Sequence, residues 1–203
     1  MKKTLSSLLV VSALALSTSL SGQTKKTVTD YLGLPGPVVF DSKTYKLSWT
    51  SHPTSNYYKQ EYIVAGDNLD KFNTMIMVEL VTGDIKIKDA AAAKMAELKK
   101  MKTSNPMVNY ESFENPETGE YMIDFLLSQN TADGKAISIV ERNVYRYLPF
   151  KGKDGEQGIV LFAVSTRSYG DKINSFLTSL KTKKSDLVNK VAAYKMAGLK
   201  IVK

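Results

Sequence analysis

Residues 136–167 read AISIVERNVYRYLPFKGKDGEQGIVLFAVSTR, and this stretch predicts a β-hairpin. Two runs rich in β-branched and aromatic residues, 136–148 and 157–167, flank a polar segment at 149–156 that contains two glycines. Such runs are typical of strands, and a polar, glycine-containing segment between them is typical of a hairpin loop. The stretch therefore predicts two antiparallel strands that are neighbours in one sheet.

The rest of the chain contains further strand-like and helix-like runs. The strand-like runs are 38–40, 45–49, 57–64, 74–81, 107–114 and 120–128, and the helix-like runs are 68–73, 89–102, 168–180 and about 185–197. Residues 74–81, TMIMVELV, are nearly all apolar, so we expect a buried strand there. Because the strands follow one another with few crossovers, we predict an α+β fold with a mainly antiparallel sheet covered by helices.

The first 22 residues have the pattern of an export signal. Two lysines precede an apolar run at 5–16, and small residues follow at Ser19 and Ser21. The apolar run is shorter than the roughly 20 residues that a membrane-spanning helix needs, so the pattern predicts cleavage near Ser21 or Gly22. We therefore expect a soluble mature protein in the periplasm or the surrounding medium.

Composition divides the mature chain into three parts. Residues 23–37 are polar and then contain glycine and proline, which predicts a flexible lead-in. Residues 38–180 have the length and composition of a single domain. Residues 181–203 contain seven lysines and one aspartate, whereas residues 23–180 carry equal numbers of basic and acidic side chains. The positive charge of the mature chain therefore comes from a basic C-terminal helix or tail.

The 203-residue chain contains no cysteine, one histidine and one tryptophan. This composition excludes thiol catalysis, disulfide bonds and iron–sulfur clusters. His52 lies in a polar segment, Thr50 to Ser55, that we expect to be an exposed loop. With no second histidine or cysteine a zinc site is not expected, and no phosphate-binding loop or dinucleotide fingerprint is present. We therefore expect no metal, no cofactor and no enzymatic activity.

Residues 56–78, NYYKQEYIVAGDNLDKFNTMIMV, resemble a segment of PsbP-like proteins. In those proteins a strand is followed by a glycine–acidic cap, a short helix with an aromatic residue, and a buried strand. The resemblance implies a PsbP-like α/β/α sandwich, and the chain is also similar to uncharacterised secreted proteins of Bacteroidetes-type bacteria. Members of that fold act as extrinsic photosystem subunits or bind a small GTPase, but no binding residue of either group transfers to this sequence.

All three arginines lie on the predicted hairpin strands. Arg142 and Arg146 are four residues apart, so both side chains point to one face of the sheet. If the loop at 149–156 closes symmetrically, Arg167 lies several residues from Arg142 along the strand, and a three-arginine cluster needs strand twist or further strands. One interpretation is a site for an anionic ligand or an acidic partner, edged by Tyr145. The alternative is that each arginine pairs with a carboxylate on a neighbouring strand.

Asp124 lies within an otherwise apolar run, YMIDFLL, at 121–127. A carboxylate in such a strand needs a cationic partner or must take up a proton, and Arg142 or Arg146 is the natural partner. A structural ion pair and a role in acid–base chemistry both remain open. In the second case Asp124 and Glu61 are the carboxylates of a hydrolase-like enzyme.

The basic C-terminal segment is the other candidate contact surface. Its lysines include Lys181, Lys183, Lys184, Lys190 and Lys195. Apolar residues at 187, 191, 194, 199 and 201 give the segment an apolar side, which predicts peripheral contact with an anionic membrane. The alternative is a solvated helix that covers the core, and nucleic acid is not expected as a partner.

These observations favour an exported, non-catalytic binding or accessory protein. Its partner is an unidentified protein or an anionic ligand, contacted through the arginine-bearing sheet face or the basic segment. The alternatives are a carboxylate-based enzyme, a small-molecule binding protein, and an envelope protein that oligomerises through an exposed sheet edge.

Overall fold

The structure is a computed structural model that describes residues 28–196 and 198–202. Within these residues it contains one eight-stranded sheet and two helices, which confirms the α+β class. The elements are β1 (Val38–Phe40), β2 (Lys43–Thr54), β3 (Tyr57–Val64), β4 (Thr74–Thr82), α1 (Ile87–Lys102), β5 (Asn109–Glu114), β6 (Tyr121–Asn130), β7 (Ile137–Lys151), β8 (Gln157–Tyr169) and α2 (Lys172–Ala193). The strand order is β1-β2-β3-β4-β8-β7-β6-β5, and every neighbouring pair is antiparallel.

The two helices pack against opposite faces of the sheet. Alternate residues of the central strands, such as Val144 and Phe162, form one core with the C-terminal half of α2. The residues between them, such as Tyr145 and Leu161, form a second core with α1. We call these sides the α2 face and the α1 face. Since a strand alternates its side chains between faces, the sequence position of a residue decides which helix it meets.

Strand β4 lies between β3 and β8, and both of its faces are covered. Ile76, Val78 and Leu80 belong to the core on the α2 face, while Met77 lies in the core on the α1 face. The run at 74–81 is apolar because both faces of the strand are buried, and the buried strand expected there is confirmed.

The short helix predicted at 68–73 is wrong. The segment is an irregular loop in which the side chain of Asp67 accepts a hydrogen bond from the backbone N–H of Asn73 at 2.9 Å. Asn68 likewise accepts from the N–H of Lys71 at 2.7 Å. These local bonds satisfy backbone donors without a helix, and Phe72 remains buried.

The loop expected at Thr50 to Ser55 is also wrong, because β2 continues through Thr54. The pairing of β2 with β3 shifts register between Ser51 and Thr54, which accommodates Pro53 in the strand. His52 stacks on Tyr58 with ring centroids 4.1 Å apart.

Residues on both sides of the predicted domain, 38–180, pack against the sheet. The sequence predicts two helices here, but a single helix, α2, continues past residue 180 to Ala193 with a kink at Lys183. Beyond the helix, Tyr194 stacks on Phe162 with ring centroids 4.4 Å apart. The backbone N–H of Lys200 donates to the carbonyl of Leu32 at 3.0 Å, and Leu32 is fully buried. The lead-in and the basic segment therefore meet each other on the α2 face.

The predicted export signal, residues 1–22, lies outside the described residues. In the part of the chain that the structure describes, no helix is both long enough and apolar enough to cross a membrane.

Tyr194→Ala tests whether the basic segment is part of the core. Loss of the ring stacked on Phe162 is expected to lower the free energy of unfolding by about 2–3 kcal/mol. Urea denaturation measures the change. Lys195→Ala, at the exposed neighbouring position, is the matched control and is expected to change stability by less than about 0.5 kcal/mol. Equal, small effects of both substitutions would contradict the packing described here.

Candidate binding groove beside helix α2

A groove runs along the α2 face between α2 and the strands β5 and β6. It consists of two cavities of about 240 and 250 Å³. The first is lined by Asn109, Leu126, Arg142, Leu177, Leu180, Lys181 and Lys184, among others. The second is lined by Phe113, Glu114, Glu120, Met122, Arg146 and Ala192, among others. We call the two cavities together the α2 groove.

An ion pair joins α2 to β5 beside the first cavity. The ammonium nitrogen of Lys184 lies 2.5 Å from Glu111 Oε1, and both side chains are about half exposed. Exposed pairs of this kind contribute little to stability, roughly 0–1 kcal/mol, so the bridge can open without a large cost. The first cavity therefore lies beside a weak contact between α2 and β5.

The floor of the first cavity is a buried ion pair. Arg142 Nε and Nη2 donate to the two carboxylate oxygens of Asp124, each at 2.9 Å. Both residues are 4% exposed. The same guanidinium donates to the backbone carbonyl of Lys184. Arg142 thus has a neutralising partner and ties β6 and β7 to α2.

Arg146 plays the same part at the second cavity. Its Nε donates to Glu120 Oε2 at 2.8 Å. Its Nη1 donates to the backbone carbonyls of Val191 at 3.1 Å and Tyr194 at 2.9 Å. A cation at this position satisfies carbonyls that the helix leaves free at its C-terminal end. As the four-residue spacing predicts, Arg142 and Arg146 lie on one face.

Arg167 lies on the opposite face, so the structure forms no three-arginine cluster. The symmetric closure expected around 149–156 is wrong, because β7 and β8 extend to Lys151 and Gln157 and pair there. That register places Arg167 directly opposite Glu141, with which it forms an ion pair on the α1 face. Its guanidinium also lies 4.1 Å from the ring centroid of Phe72.

Tyr145 does not edge the arginine site either. It lies three residues after Arg142 and one before Arg146. Both separations are odd, so its ring points to the opposite side of the sheet, the α1 face. There it packs edge-on against Phe125, with ring centroids 4.8 Å apart. The tyrosine belongs to the core beneath α1.

The carboxylate pair suggested for an enzyme, Glu61 and Asp124, is separated by the sheet. Glu61 pairs in register with Met77 on the α1 face, whereas Asp124 pairs with Arg142 on the α2 face. These two groups cannot act on one substrate. Within the described residues, no group of three His, Asp or Glu side chains is placed to hold a metal ion.

Sequence reasoning missed a second polar cluster, which lies on the α1 face around Glu79. Lys59 Nζ lies 2.8 Å from Glu61 Oε1 and 3.8 Å from Glu79 Oε1. Burial raises the pKa of the Glu79 carboxyl above its ordinary value, and Lys59 opposes that change. Burial, followed by the nearby Glu79 carboxylate, also raises the pKa of the Tyr57 phenol. The sequence signal for this cluster is Glu79 itself, a single glutamate inside the apolar run TMIMVELV.

The C-terminal lysines surround α2 without forming one patch. Lys181 and Lys184 line the first cavity of the groove. Lys190 pairs with Asp41 at 2.7 Å, and Lys183 and Lys195 are exposed. The apolar side of the segment, including Leu187, Leu199 and Ile201, packs against the core of the α2 face. Those residues are already covered by the sheet, so they are not free to insert into a membrane.

Asp124→Ala tests the buried ion pair. The substitution leaves the Arg142 charge buried without its partner, so the free energy of unfolding is expected to fall by about 3–5 kcal/mol. The double variant Asp124→Leu/Arg142→Met buries no charge and is expected to recover much of that loss. Urea unfolding of both variants measures the two losses. A double variant no more stable than Asp124→Ala would contradict the cost assigned to the unpaired Arg142 charge.

Glu79→Gln tests the raised pKa of Glu79. Above the ordinary carboxyl pKa of about 4.3, the native state keeps a proton that the unfolded chain releases. This contribution to stability is therefore fully present below that value and is lost as the pH rises towards the raised pKa. The glutamine of the variant is neutral at every pH, so its free energy of unfolding is expected not to show this decrease with rising pH. Urea unfolding from about pH 4 to pH 8 measures the difference. The exposed control Glu117→Gln is expected to retain it, and identical pH profiles for all three proteins would contradict the assignment.

Comparison with known proteins places the chain in a family. No curated protein and no solved structure matches it. A protein-family model matches residues 32–196, a range that begins in the segment before β1 and ends after α2. The match therefore includes every residue named above for the α2 groove. The chain belongs to the protein family that this model defines.

Proposed function

We propose that this chain is an exported, non-catalytic binding protein whose ligand is an anionic molecule with an apolar part, held in the α2 groove. The observation that carries the proposal is the first cavity, where apolar walls lie beside lysine side chains. A cavity of this composition matches a ligand that combines hydrocarbon with a single anionic group.

The charge of the first cavity comes from its rim. Arg142 is neutralised by Asp124, so it contributes geometry and little net charge. Lys181 is exposed, and Lys184 is held only by its exposed pair with Glu111. An incoming anion can replace Glu111 as the partner of Lys184, since exposed pairs are weak.

The walls supply the apolar contact. Leu177 and Leu180 of α2 are only partly buried, and they face the cavity together with Leu126 of β6. Covering these side chains removes apolar surface from water at roughly 25 cal/mol per Å². An apolar ligand part therefore adds affinity that the lysines alone do not provide.

The location and the fold relationship are parts of the same proposal. Export rests on the signal pattern of residues 1–22. A PsbP-like sandwich is supported by the antiparallel sheet with one helix on each face. Contact of the exposed lysines with an anionic membrane surface is compatible with the groove, although the apolar side of the segment is occupied.

Two fluorescent probes with similar aromatic bodies test the proposal. 1-Anilinonaphthalene-8-sulfonate is anionic, and N-phenyl-1-naphthylamine is neutral. Lys181→Ala is expected to weaken binding of the sulfonate about three- to tenfold, because one favourable charge is lost, and to leave the neutral probe unchanged. Fluorescence titration measures both affinities.

Lys183→Ala is the matched control, since Lys183 is an exposed lysine of α2 that does not line either cavity. It is expected to leave both affinities unchanged. Unchanged urea midpoints in both variants establish that the probes do not report a loosened core. Equal sulfonate affinity in the two variants would reject the groove as the anion site.

A further inference from the structure

The sheet ends in two very different edge strands. β1 has three residues, whereas β5 has six, and five of those six are exposed. Short edge strands, charged side chains such as lysine, proline and bulges are the devices with which proteins protect a sheet edge. Strand β5, with the sequence NYESFE, contains neither lysine nor proline, and it pairs with β6 without a register shift, so its protection comes from the charges of Glu111 and Glu114.

The outer side of β5 is free to accept another strand. Among the described residues, β5 is paired with β6 and with no second strand. An edge strand presents a row of backbone N–H and C=O groups on its unpaired side, and these groups can bond an added strand. Phe113, which is 43% exposed, lies on this strand and offers an apolar contact.

Charge selects the kind of strand that fits. Residues 109–120, β5 and the turn after it, contain four glutamates and no basic residue. Glu111 lies on the α2 face and Glu114 on the α1 face, where they pair with Lys184 and Lys88 through exposed contacts. Such pairs are weak, so a basic side chain of an added strand can replace the lysine on either face. Pairing of β5 with a second copy of itself would bring these like charges together, which is unfavourable. An extended segment that carries lysine or arginine is favoured.

We propose that β5 is a docking strand, which binds an extended, basic segment of a partner protein by adding it to the sheet as a ninth strand. Backbone hydrogen bonds supply the attachment, and the glutamates of residues 109–120 select basic over acidic segments. The attachment uses backbone groups of β5, whereas the anion proposed for the α2 groove is held by lysines of α2, so the two proposals are tested separately.

Three synthetic peptides test the proposal with the full-length mature protein. They are a blocked basic peptide, KVTVKVTVK, its acidic counterpart, EVTVEVTVE, and the basic peptide with alternate backbone nitrogens methylated. The basic peptide is expected to bind at least tenfold more tightly than either of the others. The acidic peptide carries the opposite charge, and the methylated peptide lacks half of its backbone donors. Calorimetry measures affinity, and hydrogen exchange is expected to slow at the amides of β5 in the complex.

Substitutions locate the site. Glu114→Lys/Glu117→Lys is expected to weaken binding of the basic peptide about tenfold. Asp70→Lys, an exposed carboxylate beside the β3–β4 connection, is the control and is expected to have no effect. Equal binding of the methylated peptide, unchanged exchange at β5, or no binding of the basic peptide would overturn the proposal. A dimer of the free protein that protects β5 would also overturn it, in favour of a second copy. None of these outcomes bears on sulfonate binding in the groove.

Discussion

Helix α2 is held to the sheet by two arginines of β7, and the shape of the α2 face depends on this attachment. A buried guanidinium carries a desolvation cost of several kcal/mol unless its charge and its donors are satisfied. Asp124 supplies the charge for Arg142, and Glu120 supplies it for Arg146. The remaining donors reach backbone carbonyls near the kink and at the C-terminal end of α2. Side chains of the sheet therefore set where the backbone of the helix lies.

This attachment divides the polar groups of the α2 groove into two kinds. The arginines and their carboxylates form the floor and are fully engaged with one another. The rim consists of Lys181 and Lys184 on α2, whose charges are exposed or weakly paired. The proposed recognition in the groove therefore rests on the lysines and on the apolar side chains beside them. Arginine suits the floor because its planar fork can bond a carboxylate and a carbonyl at once.

The sheet also separates groups that lie close together in sequence. Arg142 faces α2, while the adjacent Glu141 pairs with Arg167 on the other side. The proposed groove and the proposed docking strand meet at β5, where Glu111 pairs with Lys184 across the groove. A segment added to β5 would lie beside the groove, so one end of the sheet carries both proposed contacts. The contact between Leu32 and Lys200 lies towards the other end.

Local sequence patterns are enough to predict the antiparallel α+β fold, the buried strand at 74–81, and the common face of Arg142 and Arg146. Each of these follows from a local period or an apolar run, which short segments of chain specify without reference to the rest. The side on which Tyr145 packs follows from the same alternation, since it lies one residue from Arg146. The position of Arg167 and the inclusion of the C-terminal segment in the core depend instead on tertiary packing. Those features depend on the register between strands and on which apolar face meets which, and a shift of one residue in register moves a side chain to the other face. The partners of Asp124 and Glu79 also depend on tertiary structure, since a buried charge is satisfied by groups that the fold brings from distant parts of the chain.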